Sequence, residues 1–494
     1  VSLQKNKLHD VYKPSLALLN DLYQISMAYG YWKSGRHNYE AMFQLFFRTI
    51  PFNGGFAVAA GLDAVVDYVQ DFSWSKEDLE YIGSICGADG KPIVCHEFLD
   101  YLKNTPLSVS IDAVEEGRVV FAHEPLVRVS GPLLQCQMLE TPLLNLINFP
   151  TLIATKAARV RLAAQGDRVL EFGVRRAQGI DGGLTASRAA FIGGVDGTSN
   201  LLAGSTYGIP VSGTHAHSWV MSFDSELESF KAYADAMPGN CLFLVDTFNT
   251  LAGVKNAVLA GQYLQSRGGK LLGIRLDSGD LGYLSIEARK ILDAAGFKDA
   301  VIVGSNDLDE NQILNLKTAG AKINVWGVGT KLVTAYDDPA LGGVYKLVAI
   351  RKDKAADWSY KLKLSEQISK ITTPGKQQVR RFKNAGEYLA DMIYDELSLP
   401  LAEDFTIVDP LDVNRRKKIP KDCQFEDLLV SIFDQGLCVY DRGGILAARQ
   451  RCKRDLGLLN ESVKRIVNPY SYPVGLEQTL SDRKSKMILD LRGF

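Results

Sequence analysis

The sequence predicts an α/β protein: an irregular (β/α) barrel core with an additional α+β domain built from the N- and C-terminal regions. Two observations carry the barrel. Short apolar runs recur through the middle of the chain at residues 168–173, 209–214, 242–247, 270–278, 300–306 and 324–330. Their starts lie 41, 33, 28, 30 and 24 residues apart, with helix-like segments such as 283–295 and 310–319 between several of them. Strands alternating with helices at this interval make βαβ units on a parallel sheet. Six such units point to a closed or nearly closed barrel, with an open doubly wound sheet as the alternative. A third observation marks off the flanks, where this rhythm is missing.

Near the N-terminus, residues 15–33 read as a helix, with Ser15 placed to cap it and Leu18, Leu19, Leu22, Ile25 and Tyr29 at helical spacing. Residues 40–48 read as a strand. Residues 134–165 are poor in glycine and read as helices interrupted at Pro142 and Pro150. After about residue 385 the strand–helix alternation fades, and 451–464 reads as a basic, amphipathic surface helix. The domain organisation expected is an N-terminal α+β domain over 1–150, a barrel over 151–385, and a C-terminal region, 386–494, packing on the N-terminal domain.

Composition narrows the class. The 494 residues carry a formal net charge of -1, with 46% hydrophobic and 23% charged side chains. That balance is ordinary for a folded, soluble chain and excludes a strongly basic nucleic-acid or acidic-membrane binder. An anionic ligand must therefore be held by a local cluster. The cysteines, at 86, 95, 136, 241, 423, 438 and 452, are odd in number and include no Cys-x-x-Cys pair. This argues against a disulfide framework or a zinc site and fits a reducing compartment. Residues 1–13 are polar, and no apolar run is long enough to span a bilayer. A cytoplasmic protein with no membrane and no nucleic-acid partner is the expectation.

Barrel chemistry gathers at the C-terminal ends of strands. Those ends carry Phe172 with Arg175 and Arg176, Thr214 with His215 and His217, and Asp246 with Thr247. They continue with Arg275, Asp277 and Ser278, then Asn306 with Asp307, then Gly327-Val328-Gly329-Thr330. In the last, two glycines let backbone N–H groups approach a phosphate, and the threonine adds a hydroxyl. Arg275 and Asp277, two apart, share a strand face. The arginine offers a planar fork for a carboxylate, and the aspartate can accept ribose hydroxyls or hold magnesium. An internal ion pair between them is the plainer alternative. His215 and His217 also share a face, as base, nucleophile or metal pair. Asp246 would then be a further ligand or the carboxylate that orients one imidazole, and either histidine can equally be a satisfied core residue.

Taken together, the motifs resemble the nicotinate phosphoribosyltransferase family. The resemblance is carried by Leu18-Leu19-Asn20-Asp21-Leu22-Tyr23-Gln24 and by Glu171-Phe172-Gly173-Val174-Arg175-Arg176-Ala177-Gln178. It continues in Gly213-Thr214-His215-Ala216-His217-Ser218, Arg275-Leu276-Asp277-Ser278-Gly279-Asp280, Gly327-Val328-Gly329-Thr330 and Lys370-Ile371-Thr372-Thr373-Pro374-Gly375-Lys376. It covers most of residues 15–380 and runs more weakly through the C-terminal region. It implies a homodimer with shared active sites, which joins nicotinate to phosphoribosyl pyrophosphate with Mg2+ and couples ATP hydrolysis through a phosphohistidine. By motif position that histidine is His217, with Asp246 orienting it and Asp277 holding ribose hydroxyls or magnesium. The resemblance places Tyr23 and Phe172 on either face of the pyridine ring, Arg275 and Thr214 at its carboxylate, and Arg48, Arg175, Gly327, Gly329, Thr330 and Lys376 at phosphate.

The related nicotinamide enzymes carry an aspartate where this chain has Ser199, in Gly197-Thr198-Ser199-Asn200. An aspartate repels a carboxylate and serine does not, which favours nicotinate. Enzymes for quinolinate lack the histidine motif. A non-catalytic sensor would keep Arg275 and 327–330 yet have no need of His217, Asp246 and Asp277 together. A Schiff-base barrel would want a lysine at a strand exit, and none of the six supplies one.

Overall fold

The computed structural model describes residues 16–398 and 405–494. It divides into two compact units, one of residues Val1–Leu152 with Ala340–Phe494 and one of Ile153–Pro339.

The central unit is built on a parallel sheet of β1 (Arg168–Glu171), β2 (Gly197–Thr198), β3 (Leu242–Leu244), β4 (Gly273–Leu276), β5 (Val301–Gly304) and β6 (Val325–Val328). Their order across the sheet is β2-β1-β6-β5-β4-β3, and every pairing is parallel. The strands are short and almost wholly apolar, as strands covered on both faces must be. Helices follow the strand exits, and most begin on an Asx cap. Asn200 accepts from Leu202 and Ala203 N–H, Asn249 from Ala252 N–H, Asp280 from Tyr283 N–H and Asp309 from Gln312 N–H. Each cap satisfies amides that the first helical turn leaves open.

One expected strand is not one. Residues 209–214 make only an isolated parallel bridge, Thr198 to Val211. Among the described residues the sheet is therefore open between β2 and β3, and its ladder does not close into the barrel that the sequence suggests. The expected 283–295 and 310–319 helices are Leu281–Ala294 and Glu310–Thr318.

The other unit is α+β. One sheet of seven strands runs Ser359–Tyr360, Val344–Arg351, Glu40–Phe46, Val127–Pro132, Ser110–Val114, Leu429–Asp434, Leu437–Cys438. A second, of six, runs Arg416–Lys418, Thr406–Val408, Val474–Glu477, Glu387–Asp395, Gln377–Asn384, Gln424–Asp427. Both mix N-terminal, C-terminal and 340–395 segments or draw wholly on the last two. A buried charge network ties the strands to the helix Gly444–Leu458. Arg381 and Asp391 are both fully buried and paired through Nη2 and Oδ2 at 2.5 Å. Arg118 Nε meets Asp455 at 2.8 Å, and the Tyr388 hydroxyl donates to the same carboxylate at 2.9 Å. Buried charges persist where each is paired and hydrogen-bonded in this way.

Two helical expectations shift. The first helix is Leu22–Lys33, starting at a capping box between Asp21 and Gln24; Ser15 lies outside the described residues. The 134–165 stretch breaks at Leu139, between Leu133–Met138 and Glu140–Ala163. Pro142 sits in a first turn, where its missing N–H costs nothing, and Pro150 lies inside the helix without ending it.

Candidate active site

β3 and β4 are parallel neighbours with Leu244 opposite Arg275, so Asp246 and Asp277, each two residues further on, emerge side by side. The Asp277 N–H and the Ser278 hydroxyl both donate to Asp246 Oδ2, at 2.9 and 2.6 Å. His217 opens the helix His217–Met221 and turns its ring toward this pair. Its Nδ1 lies 3.1 Å from the Thr247 hydroxyl. Its Nε2 lies 3.7 Å from Asp277 Oδ2 and 4.0 Å from Asp246 Oδ1. Both are beyond hydrogen-bond length, so the carboxylates act on the ring through their field. The contact that orients the imidazole is Thr247.

Arg275 is held in the internal ion pair that the sequence left open. Its Nη2 donates to Asp277 Oδ1 at 2.8 Å and its Nε to Ser305 Oγ at 2.9 Å, while the Ser305 hydroxyl donates to the same Asp277 oxygen. Burial pushes the Asp277 carboxyl up, but the Arg275 charge, the Ser305 and Arg275 hydrogen bonds and His217 outweigh it, leaving it below the usual aspartate range. The guanidinium carbon sits 5.6 Å from the Phe172 ring centre, a cation–π distance.

Phe172 is fixed from behind. Its N–H donates to the Val328 carbonyl at 2.8 Å. The preceding Glu171 is buried and accepts from Gly173 N–H, from the Ser187 hydroxyl at 2.8 Å and from the Thr198 hydroxyl at 2.5 Å. A Cβ on Gly327 would lie 2.7 Å from the Phe172 ring, so the glycine is needed for this close approach. Gly329 precedes the short helix Thr330–Val333, whose Lys331 pairs with Asp309 at 2.6 Å. Asn306 and Asp307, at the exit of β5, both have positive φ, 95° and 44°. Two successive left-handed non-glycine residues store strain of a kind that clusters at ligand sites.

Of the other expected residues, Thr214 donates its hydroxyl proton to the Leu242 carbonyl and so offers a ligand only an acceptor. Arg175 is exposed on the turn Val174–Arg176. Ser199 follows β2, with its N–H on the Glu171 carbonyl at 2.9 Å. Tyr23, Arg48 and Lys376 belong to the other unit. There Tyr23 is exposed on its helix, burial lowers the Arg48 pKa, and Lys376 pairs with Glu396 at 3.0 Å. Glu171, Thr247 and Ser305 are supporting groups to which the sequence assigned no role, although Thr247 stood among the strand-end residues. Thr247 and Ser305 stand at strand exits, but only the fold shows which partner each hydroxyl meets.

Among the described residues no three His, Cys, Asp or Glu side chains gather as a metal cage. Two carboxylate oxygens do face one space beside His217. Asp246 Oδ1 is buried without a hydrogen-bond partner among the described residues and lies 4.0 Å from His217 Nε2, and Asp277 Oδ2 lies 3.7 Å from the same nitrogen. Magnesium is commonly held by one or two carboxylates together with substrate phosphates, and this pair fits that pattern.

Three family models match the chain: the nicotinate phosphoribosyltransferase N-terminal domain over residues 18–148, the nicotinate phosphoribosyltransferase family over 168–385, and the nicotinate phosphoribosyltransferase C-terminal domain over 375–484. The nicotinate phosphoribosyltransferase of Bacillus subtilis is 43% identical over 486 residues, covering 97% of this chain and 96% of that protein. The Homo sapiens nicotinate phosphoribosyltransferase is 36% identical, covering 94% of this chain and 95% of that one. The crystal structure of human nicotinic acid phosphoribosyltransferase superposes with a TM-score of 0.78 at 33% identity, covering 95% of this chain and 100% of that chain. None of the described helices is long and apolar enough to cross a membrane. Motifs, fold and relatives agree that this chain belongs to the nicotinate phosphoribosyltransferase family.

Proposed function

We propose that the protein joins nicotinate to 5-phosphoribosyl 1-pyrophosphate in NAD biosynthesis and salvage, and that ATP hydrolysis is coupled to this reaction through a phosphorylated His217. The observation that carries the reading is the imidazole of His217, engaged at Nδ1 by Thr247 and facing Asp246 and Asp277 with Nε2. A ring held at one nitrogen presents the other as a nucleophile. Nε2 attacks the γ-phosphorus of ATP, the bond to the ADP oxygen breaks, and water later releases inorganic phosphate and restores the ring. In the main reaction the pyridine nitrogen attacks the anomeric carbon, and the carbon–oxygen bond to pyrophosphate breaks with its electron pair leaving on pyrophosphate.

The chain's own groups bind and orient. Phe172 supplies a flat apolar face for the pyridine, and the Arg275 guanidinium beside it supplies positive charge for the carboxylate. Asp277 accepts ribose hydroxyls. On the family resemblance, Gly327, Gly329, Thr330, Arg175, Arg48 and Lys376 serve the phosphates, and Tyr23, reaching in from the partner subunit, covers the second face of the ring. Asp246 and Asp277 would hold Mg2+, which when bound neutralises phosphate charge. A cytoplasmic homodimer with shared sites belongs to the same proposal and rests on the family resemblance.

The test is phosphoribosyl transfer to labelled nicotinate, with and without ATP, on the wild type and His217→Ala. ATP should stimulate the wild type and leave the variant unstimulated; stimulation that survives the substitution rules out the role given to His217. Nicotinamide measured alongside should turn over more slowly, as Ser199 implies, and faster turnover would reverse the substrate assignment.

A further inference from the structure

β3 is an edge strand whose inner side is fully used. Leu272 N–H donates to the Cys241 carbonyl at 2.8 Å, and Val245 N–H to the Arg275 carbonyl at 3.2 Å. The Leu242 carbonyl and the Leu244 N–H point the other way, where a further strand would meet them. Among the described residues no ladder forms there. Two side chains take its place: the Thr214 hydroxyl donates to the Leu242 carbonyl, and the Leu244 N–H donates to His215 Nε2 at 3.3 Å. The segment that carries them bridges only toward β2, with Thr198 N–H on the Pro210 carbonyl at 3.0 Å and Ser212 N–H on the Thr198 carbonyl at 2.9 Å. An edge N–H left unpaired at a buried position is costly, so this acceptor has a job whatever residue supplies it.

We infer that His215 is a positioning residue, whose ring stands in for the absent backbone acceptor and so fixes the segment that presents His217. The inference rests on the reading of His217 as the reactive group. His215 is 6% exposed and sits among Phe230, Tyr233 and Phe243, with ring centres 6.0, 5.0 and 6.3 Å away. Burial drives its pKa down to about 4, so the ring is neutral near physiological pH. A neutral imidazole that accepts at Nε2 carries its proton on Nδ1. Ala216 continues in extended conformation, and His217 then meets Thr247 at the exit of the same strand. β3 and its exit therefore grip the segment at three points, at Leu242 through Thr214, at Leu244 through His215 and at Thr247 through His217. The Trp219 Nε1–H on the Ser229 carbonyl, at 3.1 Å, anchors the helix that His217 opens. An error of about one ångström in such a frame can cost on the order of a hundredfold in rate.

The test uses the full chain with His215→Phe, which keeps the aromatic packing but removes the acceptor, and His215→Gln, whose amide oxygen can accept in its place. Expected is a loss of at least about tenfold in kcat for His215→Phe, little change in the KM for nicotinate, and recovery of most of that loss in His215→Gln. A smaller loss, or equal losses in both variants, overturns the inference. In the wild type near neutral pH, nitrogen NMR of the labelled imidazole should find His215 Nε2 unprotonated, and the Leu244 amide should exchange slowly. In His215→Phe that amide should lose protection and the His217 ring signals should shift. A protonated Nε2, or unchanged His217 and Leu244 signals, overturns the inference as well. The NMR readings need no substrate, so they decide the point even if the wild type transfers no phosphoribosyl group, which would sink the functional reading alone. If His215→Phe does not fold, His215→Gln and the wild-type tautomer decide it.

Discussion

The Nδ1 of His217 and the hydroxyl of Thr247 stand 3.1 Å apart, and this contact determines which ring nitrogen faces Asp246 and Asp277. Replacing Thr247 by valine keeps the shape and removes the partner. A fall of about tenfold in kcat is expected for Thr247→Val, with Thr247→Ser within about twofold of the wild type. Steady-state rates on nicotinate check this, and equal rates in the valine variant would show that the ring is oriented by something else.

Asp277 joins Arg275, Ser305 and the His217 field in one cluster. Asp277→Asn should lower kcat/KM by about 10²- to 10³-fold, the scale of losing a preorganised charge. Its native carboxyl titrates below the ordinary aspartate range. Its stabilising contribution is therefore present above that range and is lost only as pH falls through the depressed native value. The acid limb of a kcat/KM profile should consequently lie elsewhere, and an acid limb abolished by Asp277→Asn would contradict this.

Gly327 leaves room for Phe172. A methyl at this strand position must displace the ring, which it would approach to 2.7 Å. Gly327→Ala should cost about 1–3 kcal/mol of stability by overpacking, together with a raised KM for nicotinate. Urea unfolding and substrate titration measure the two effects. A destabilised variant with an unchanged KM would remove Phe172 from the nicotinate site.

At Ser199 the expectation concerns selectivity. Ser199→Asp would set a negative charge near a carboxylate substrate, and the KM for nicotinate should rise by about tenfold or more, on the order of 1.4 kcal/mol, while nicotinamide is affected less. Parallel kinetics on the two pyridines decide it.

Glu124 lies fully buried in the other unit, accepting from Phe121 N–H at 2.8 Å. Burial, with the neighbouring Asp391 carboxylate, pushes its pKa well above the usual carboxylate range. The native state thus keeps a proton that the unfolded chain gives up first, and stability falls as pH rises from the ordinary glutamate range toward the raised native value. Glu124→Gln supplies a neutral group throughout. Chemical unfolding midpoints over a pH series should decline in the wild type on the alkaline side and decline less in the variant; parallel curves would place the proton elsewhere.

The sequence revealed what periodicity can reveal. Five of the six apolar runs lie on parallel strands, and the polar residues on or just beyond them include Asp246, Arg275 and Asp277, while His217 follows the sixth run. Residues 209–214 misled because extended, apolar sequence does not say whether both edges find a backbone partner; here one edge is served by side chains. Gly197–Thr198 escaped notice because two residues hold no period. The capping box at Asp21 and Gln24 was there to be read, but Ser15 and the leucines after it offered an earlier start. Thr247 and Ser305 could not be assigned, since a hydroxyl's partner is a matter of three-dimensional register.

The buried network around Arg118 has a consequence for the order of synthesis. Its partners Glu426 and Asp455 lie 308 and 337 residues later in the chain. A ribosome that has delivered residue 339 has supplied every strand of the central parallel sheet, yet none of those carboxylates. Contacts that distant form late, because the connecting chain must be ordered or looped out first. During translation the guanidinium of Arg118 is expected to remain in water while the middle of the chain gains protease resistance. Arrested nascent chains ending near residue 370 should therefore protect 153–339 from limited proteolysis and leave 16–152 open to cleavage.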